Sequence, residues 1–191
     1  PPALQSCAAG TPLGYCSGTA LSPWEIVKVE KRDLGMRYRH SILKEPDGEK
    51  WIVLSATFEL ETGDPRVLEA QLEKNLEGRK TTQPQNVGSA GCIFKNYEVT
   101  SKDEMKILDE KLDIPDAMKK SGRLSAGWII EELDLKGKKI GGASVSEVHG
   151  NFLVNDGTAT ADHVIQLIAL IKTRARNELG IQLEEEVHYV A

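Results

Sequence analysis

The sequence predicts an α+β chain in two lobes, a partial one over 1–83 and a compact one over 84–191. Three observations carry that expectation. Segments 51–60 and 181–190 alternate apolar and polar residues with period two, as strands do. Segments 64–79, 101–112, 125–133 and 160–179 repeat apolar residues every three or four positions, as helices do. The polar, glycine-containing stretch Lys80–Ala90 separates the two groups and reads as the linker between lobes.

In chain order, residues 1–22 are rich in Gly, Ala, Ser, Thr and Pro without periodicity, and read as loop. Pro23–Val29 reads as a short strand, and Tyr38-Arg39-His40-Ser41 has no clear type. Trp51–Leu60 alternates through Ile52, Leu54, Ala56, Phe58 and Leu60, which predicts a half-buried strand. Asp64-Pro65 is a helix start, with Leu68, Leu72 and Leu76 spaced by four up to about Arg79. Ser89–Asn96 reads as a small-residue turn presenting Cys92. Ser101 and Glu104 have capping-box spacing for a helix carrying Met105, Leu108 and Leu112. Ser125–Leu133 is an amphipathic helix with Trp128. Lys139–Val148 and Asn151–Val154 read as strands. Thr160 caps a helix with Val164, Leu167, Ile168 and Ile171 on one stripe and Gly180 as its stop. In the last strand Ile181, Leu183, Val187 and Tyr189 face inward, and Glu185 breaks that set.

Composition excludes some functions. Net charge is -5, which argues against a nucleic-acid partner. No apolar run reaches the roughly 20 residues of a membrane span; the longest, Val164–Ile171, is broken by Gln166. The chain starts Pro-Pro without a signal-peptide pattern, as a fragment or processed product would. Cys7, Cys16 and Cys92 lack CxxC spacing, which fits a reducing compartment, so a cytoplasmic location is expected. His40, His149, His163 and His188 have no metal-ligand spacing, and His163, in a first helical turn, is expected at the surface.

Five stretches, in order, resemble the UDP-N-acetylenolpyruvoylglucosamine reductase (MurB) family. They are Tyr38-Arg39-His40-Ser41, the turn Ala90–Asn96 (AGCIFKN), and the block Ala126-Gly127-Trp128-Ile129-Ile130 continued by Lys136-Gly137 and Ile140–Ala143. Val145-Ser146-Glu147 through His149, Asn151-Phe152 and Val154-Asn155 follow, and Leu183–Val187 resembles the terminal LEPEV. The resemblance covers roughly 25–191. It implies the end of an FAD-binding lobe plus a whole substrate-binding lobe. It also implies FAD, reduced by NADPH, passing a hydride to UDP-GlcNAc-enolpyruvate to give UDP-N-acetylmuramate. The family's proton donor falls on Cys92, its enolate-stabilising arginine on Arg39 and its catalytic glutamate on Glu186. Tyr38, Lys95 and Asn96 become candidate substrate-binding residues. Cys92 stands where many members have Ser. Tyr97 and Glu185 stand where the family pattern has proline.

The chemistry suits these residue types. Hydride addition to one alkene carbon builds negative charge on its neighbour and on the attached carboxylate, and a guanidinium binds that charge bidentately. A thiol, with a reference pKa of ~8.5, holds a proton at neutral pH yet releases it more readily than a hydroxyl. Glu186 in protonated form can hydrogen-bond the enolate, whereas an ionised carboxylate would repel it. Lys95 and Asn96 can meet a diphosphate or sugar. Gly141-Gly142 could approach a flavin or the substrate, or form a bulge. Two other readings stay open: a non-catalytic UDP-sugar-binding fragment, and a hydrolase with Cys92 as nucleophile beside His149 or His188.

Overall fold

The protein is seen as a computed structural model describing residues 14–17, 25–45 and 51–189, the first stretch by backbone alone. It divides into two compact units, 1–64 and 65–191, so the helix after Asp64 groups with the second unit.

In the first unit, β1 (Gly14–Ser17) is the middle strand of an antiparallel sheet, between β2 (Glu25–Lys28) and β3 (Trp51–Ser55). β1 falls inside the stretch read as loop. Its four residues are too few to show a period, and pairing on both sides makes it a strand. β3 stops at Ser55 rather than Leu60 because its partner runs out: Gly14, the first residue of β1, pairs with Ser55. Beyond that point Phe58 and Leu60 are exposed. Ile52 and Val53 are also exposed, so the expected half-buried strand is more open than its alternation implied. The stretch of uncertain type holds a two-residue turn, where Arg37 and His40 exchange both backbone bonds at 3.1 Å.

The second unit begins with α1 (Pro65–Thr82), one turn longer than expected, its leucine stripe exposed. Residues 88–92 form β4 (Gly88–Cys92) rather than the expected linker and turn. Small residues hide a strand period, and the cross-strand partner supplies what the sequence lacks. That partner is β9 (Phe152–Asn155). The Lys139–Val148 run, expected as one strand, folds into a hairpin of β7 (Lys139–Ile140) and β8 (Ala143–Val145). The sheet order is β4-β9-β8-β7 throughout antiparallel.

Gly141 and Gly142 make that hairpin possible. Gly141 has φ +55°, and a Cβ there would lie 2.3 Å from the His163 ring. A Cβ on Gly142 would lie 2.4 Å from the Ala159 nitrogen. The close approach is therefore to the protein's own loop and helix. His163 belongs to α5 (Ala161–Arg174), and it is half-buried rather than at the surface. Its Nδ1 accepts from Thr160 N–H at 3.1 Å while the Thr160 hydroxyl accepts from His163 N–H, completing a capping box. Leu167, Ile168 and Ile171 bury the inner face of α5 against the sheet. A π-helical turn, Ala175–Leu179, carries it to Gly180.

Tyr97–Glu98 (β5) pairs with Arg123–Leu124 (β6). Around this ribbon lie α2 (Lys102–Leu112), α3 (Asp116–Ser121) and α4 (Ala126–Glu132). Ser101 caps α2 as expected, and Ser125 caps α4. One core joins Phe94, Leu124, Ile129, Ile130, Leu153, Leu167 and Ile171 with Ile181 and Leu183. The terminal segment, expected as a full strand, forms one isolated β-bridge, Phe94 to Glu185; Val190 lies outside the described residues. Its bonds to the stretch 93–95 run from Lys95 N–H to Glu184 O and from Glu186 N–H to Ile93 O. Burying Ile181 and Leu183, at about 1.5–3 kcal/mol each, holds the segment down without a ladder.

Gly142→Ala should destabilise the protein by about 1–3 kcal/mol, because the contact is with rigid backbone. Gly78→Ala, in an open helix position, should instead stabilise it by about 0.5–1 kcal/mol. Urea unfolding of both variants measures the two opposite shifts.

Candidate functional site

Cys92 ends β4 and is half-buried. The pairing of β4 with β9 is irregular between Ser89 and Cys92, and Gly91 takes φ +84° inside that irregularity. A bulge of this kind bends a strand and re-aims the side chain that follows. Immediately after it, Ile93 and Phe94 are each 1% exposed and anchor the segment in the core.

Asn151, also buried, fixes the backbone here. Its Oδ1 accepts from Phe94 N–H at 2.9 Å and its Nδ2 donates to Phe94 O at 2.8 Å, while Ile93 N–H donates to Asn151 O at 3.0 Å. Beyond the last β4–β9 pair, Cys92 with Phe152, the carboxamide supplies with a side chain the partners of the Phe94 peptide. Sequence reasoning passed over Asn151 as a site residue. The available signal was a polar residue between Gly150 and the apolar Phe152-Leu153.

The terminal segment lies along the other side of 93–95. Lys95 N–H donates to Glu184 O at 2.9 Å and Glu186 N–H donates to Ile93 O at 2.7 Å. Cys92 and Glu186, about ninety residues apart in sequence, are thereby adjacent along the backbone. The Lys95 ammonium pairs with the Glu184 carboxylate at 2.9 Å. Asn96 Oδ1 accepts from Ala126 N–H at 3.2 Å, tying the turn to the start of α4. Tyr97 hydroxyl donates to Glu104 of α2. Burial first, and then the carboxylate beside it, push the Tyr97 phenol up to about 12. The same bond holds the Glu104 carboxyl below its usual range.

Arg39 and Tyr38 belong to the first unit and form the two-residue turn between Arg37 and His40. Arg39 has φ +51°, a left-handed conformation that an L side chain adopts at a cost of about 1 kcal/mol. Its guanidinium carbon lies 5.7 Å from the Tyr38 ring centroid.

A groove of about 340 Å³ runs along the sheet, lined by Pro84, Val87, Lys139, Ser144, Ser146, Glu147, Val148 and Val154 among others. Lys139 is its cation among the described lining residues, and it is paired with Asp156 at 2.7 Å. With Glu147 beside it, the groove suits a diphosphate poorly. His149 does not stand as a ready base: its Nδ1 accepts from Asn151 N–H, its ring packs edge-on to Phe152, and burial lowers its pKa.

Comparison with known proteins decides the family. Residues 83–190 match the family model of the UDP-N-acetylenolpyruvoylglucosamine reductase C-terminal domain. The chain belongs to this family. It is similar to the UDP-N-acetylenolpyruvoylglucosamine reductase of Geotalea uraniireducens (strain Rf4), 40% identical over 172 residues, covering 90% of this chain and 48% of the relative. The reductase of Synechococcus sp. (strain CC9605) is 38% identical over 161 residues, covering 84% of this chain and 45% of the relative. Among solved structures, UDP-N-acetylenolpyruvylglucosamine reductase (MurB) from Thermus caldophilus superposes with a TM-score of 0.60 at 28% identity, over 93% of this chain and 52% of that one. The α+β fold agrees with that likeness. The chain spans about half the length of the curated relatives it matches. No described helix is long and apolar enough to cross a membrane.

Asn151→Leu should lower stability by roughly 2–4 kcal/mol, since it strands both the N–H and the C=O of buried Phe94. Thermal unfolding measures it, and the Cys92 segment should lose amide-exchange protection first. Tyr97→Phe should show a pH signature. Glu104, with its folded pKa lowered, contributes stability above its unfolded value of 4.5 and loses it as pH falls. Tyr97, raised from 10.0 to about 12, contributes below 10.0 and loses it as pH rises towards 12. The stability gap between wild type and Tyr97→Phe should therefore be flat at neutral pH and narrow at both extremes.

Proposed function

We propose that this chain supplies the substrate-binding and proton-donating side of UDP-N-acetylglucosamine enolpyruvate reduction, the step that yields UDP-N-acetylmuramate for peptidoglycan. The bond from Glu186 N–H to Ile93 O carries this reading, since it brings two family-mapped groups from distant parts of the sequence to one edge. Arg39 binds the enolpyruvyl carboxylate and gains as negative charge builds on it. By the family mapping, Glu186 of the second unit hydrogen-bonds the enolate. The Cys92 thiol gives its proton to the α-carbon and is re-protonated from water. Lys95 and Asn96 present polar groups to the sugar diphosphate, and Tyr38 flanks Arg39.

Family membership implies FAD, reduced by NADPH, as the hydride source. The described residues do not form a cradle for it: His163 and Thr158 fill the space over Gly141 and Gly142, the glycine pair that could have admitted a flavin. No step at FAD is assigned to this chain, and the cytoplasm is the proposed setting. The strained turn at Arg39 supports a functional role for that residue, because strain of this kind persists where a side chain must be aimed.

Calorimetric titration of the chain with UDP-N-acetylglucosamine enolpyruvate tests the reading, and no binding would sink it. Arg39→Gly should keep or raise thermal stability, because glycine relaxes the left-handed turn, yet weaken binding by at least about 10-fold. In enzyme completed with a relative's N-terminal half, FAD and NADPH, Cys92→Ala should spare flavin bleaching by NADPH and stop product formation. Cys92→Ser should retain part of the turnover. Loss of the bleaching step in Cys92→Ala would assign Cys92 to cofactor binding instead.

A further inference from the structure

We infer that Lys172, Glu185 and Tyr189 form a clasp that positions Glu186, doing with side chains what the family pattern does with a proline. The inference rests on the reading of Glu186 as a substrate-facing group. Glu185 is the residue that broke the inward alternation of the terminal segment, and it stands where the family pattern LEPEV has proline. Its carboxylate accepts from the Lys172 ammonium of α5 at 2.6 Å and from the Tyr189 hydroxyl. Lys172 and Glu185 side chains are only 27% and 20% exposed, so water screens this pair less than a surface one. The neighbouring ammonium holds the Glu185 carboxyl below its usual range, with Tyr189 adding to the effect.

The backbone explains why the position matters. Glu185 faces Phe94 in a lone antiparallel bridge, and the bonds that flank it are Lys95 N–H to Glu184 O and Glu186 N–H to Ile93 O. This is the non-hydrogen-bonded kind of pair, in which residue 185 spends no N–H on the ladder. Proline fits such a site and fixes φ near -65°. Glutamate leaves φ free. The terminal segment has only this one bridge, so its register needs another restraint. Side chains alternate along extended backbone. Glu185 points to α5, and Glu184, which pairs with Lys95, shares the opposite side with Glu186. A fastened Glu185 therefore sets the direction in which Glu186 leaves the segment. Tyr97, the other departure from a family proline, is tied in the same manner to Glu104 of α2.

Two readouts on the intact chain test the clasp. The first is amide exchange at Lys95 and Glu186, whose N–H groups bridge the two segments. Lys172→Met and Glu185→Gln should each speed it by about 10-fold, leaving Leu167–Ile171 of α5 unchanged. The second is affinity for UDP-N-acetylglucosamine enolpyruvate. Each variant should weaken it by about 10-fold, and Lys172→Met should weaken it no further once Glu186 is already Ala. Glu185→Pro, and the exchanged pair Glu185→Lys with Lys172→Glu, should return both readouts to within about 3-fold of wild type. Unchanged exchange in Lys172→Met overturns the clasp. Equal weakening by Lys172→Met with and without Glu186, or no recovery in Glu185→Pro, overturns its positioning role. A wild-type chain that does not bind the UDP-sugar overturns the reductase reading, and the exchange readout still decides the clasp.

Discussion

The Asn151 carboxamide holds both polar groups of the Phe94 peptide, and the candidate site depends on that pair of bonds. The β4–β9 ladder, irregular between Ser89 and Cys92, ends at the Cys92–Phe152 pair, so the Phe94 peptide two residues on lies beyond the ladder. A buried N–H and C=O without partners would cost several kcal/mol together. Asn151 satisfies both at once and lets Phe94 sit 1% exposed in the core. With Phe94 fixed, Ile93 O and Lys95 N–H are presented outward at set positions, and the terminal segment docks on them. Cys92 on one side and Glu186 on the other inherit their places from this anchor.

A second theme is the use of side chains where backbone regularity runs out. The terminal segment has one bridge, and Lys172 and Lys95 tie it down, while Tyr189 braces Glu185 from within the segment. The β5–β6 ribbon is two residues long, and Tyr97 with Glu104 ties it to α2. The hairpin at Gly141-Gly142 is braced by His163 and Thr158. Each device is local and cheap in chain length.

Much of this was legible in the sequence where one residue's neighbours lie within a turn of helix. The caps at Ser101 and Thr160, the stripe Leu167-Ile168-Ile171 and the stop at Gly180 depend on contacts three or four residues away, and they appear as expected. The α+β class and the family motifs were legible for the same reason, since composition and spacing are local properties. The strands were harder. β1 and β4 carry too little apolar alternation to be seen, the 139–148 run folds back on itself, and β3 and the terminal segment end where their partners end.

By itself the sequence determined the helices α1, α2, α4 and α5, the caps at Ser101 and Thr160, the order of the family motifs and the chemical types at Arg39, Cys92 and Glu186. Their information lies in neighbours along the chain, and hydrogen bonds within a helix or turn read it directly. Only the tertiary structure decided that Asn151 would act as a strand for Phe94, that Glu185 would reach Lys172, and that Glu186 would lie against Ile93. Those outcomes join residues 57, 13 and 93 positions apart. Nothing in local propensity favours one distant partner over another. The choice is made by the shared core, which buries Ile93, Phe94, Ile181 and Leu183 together and leaves each polar group beside them one place to bond.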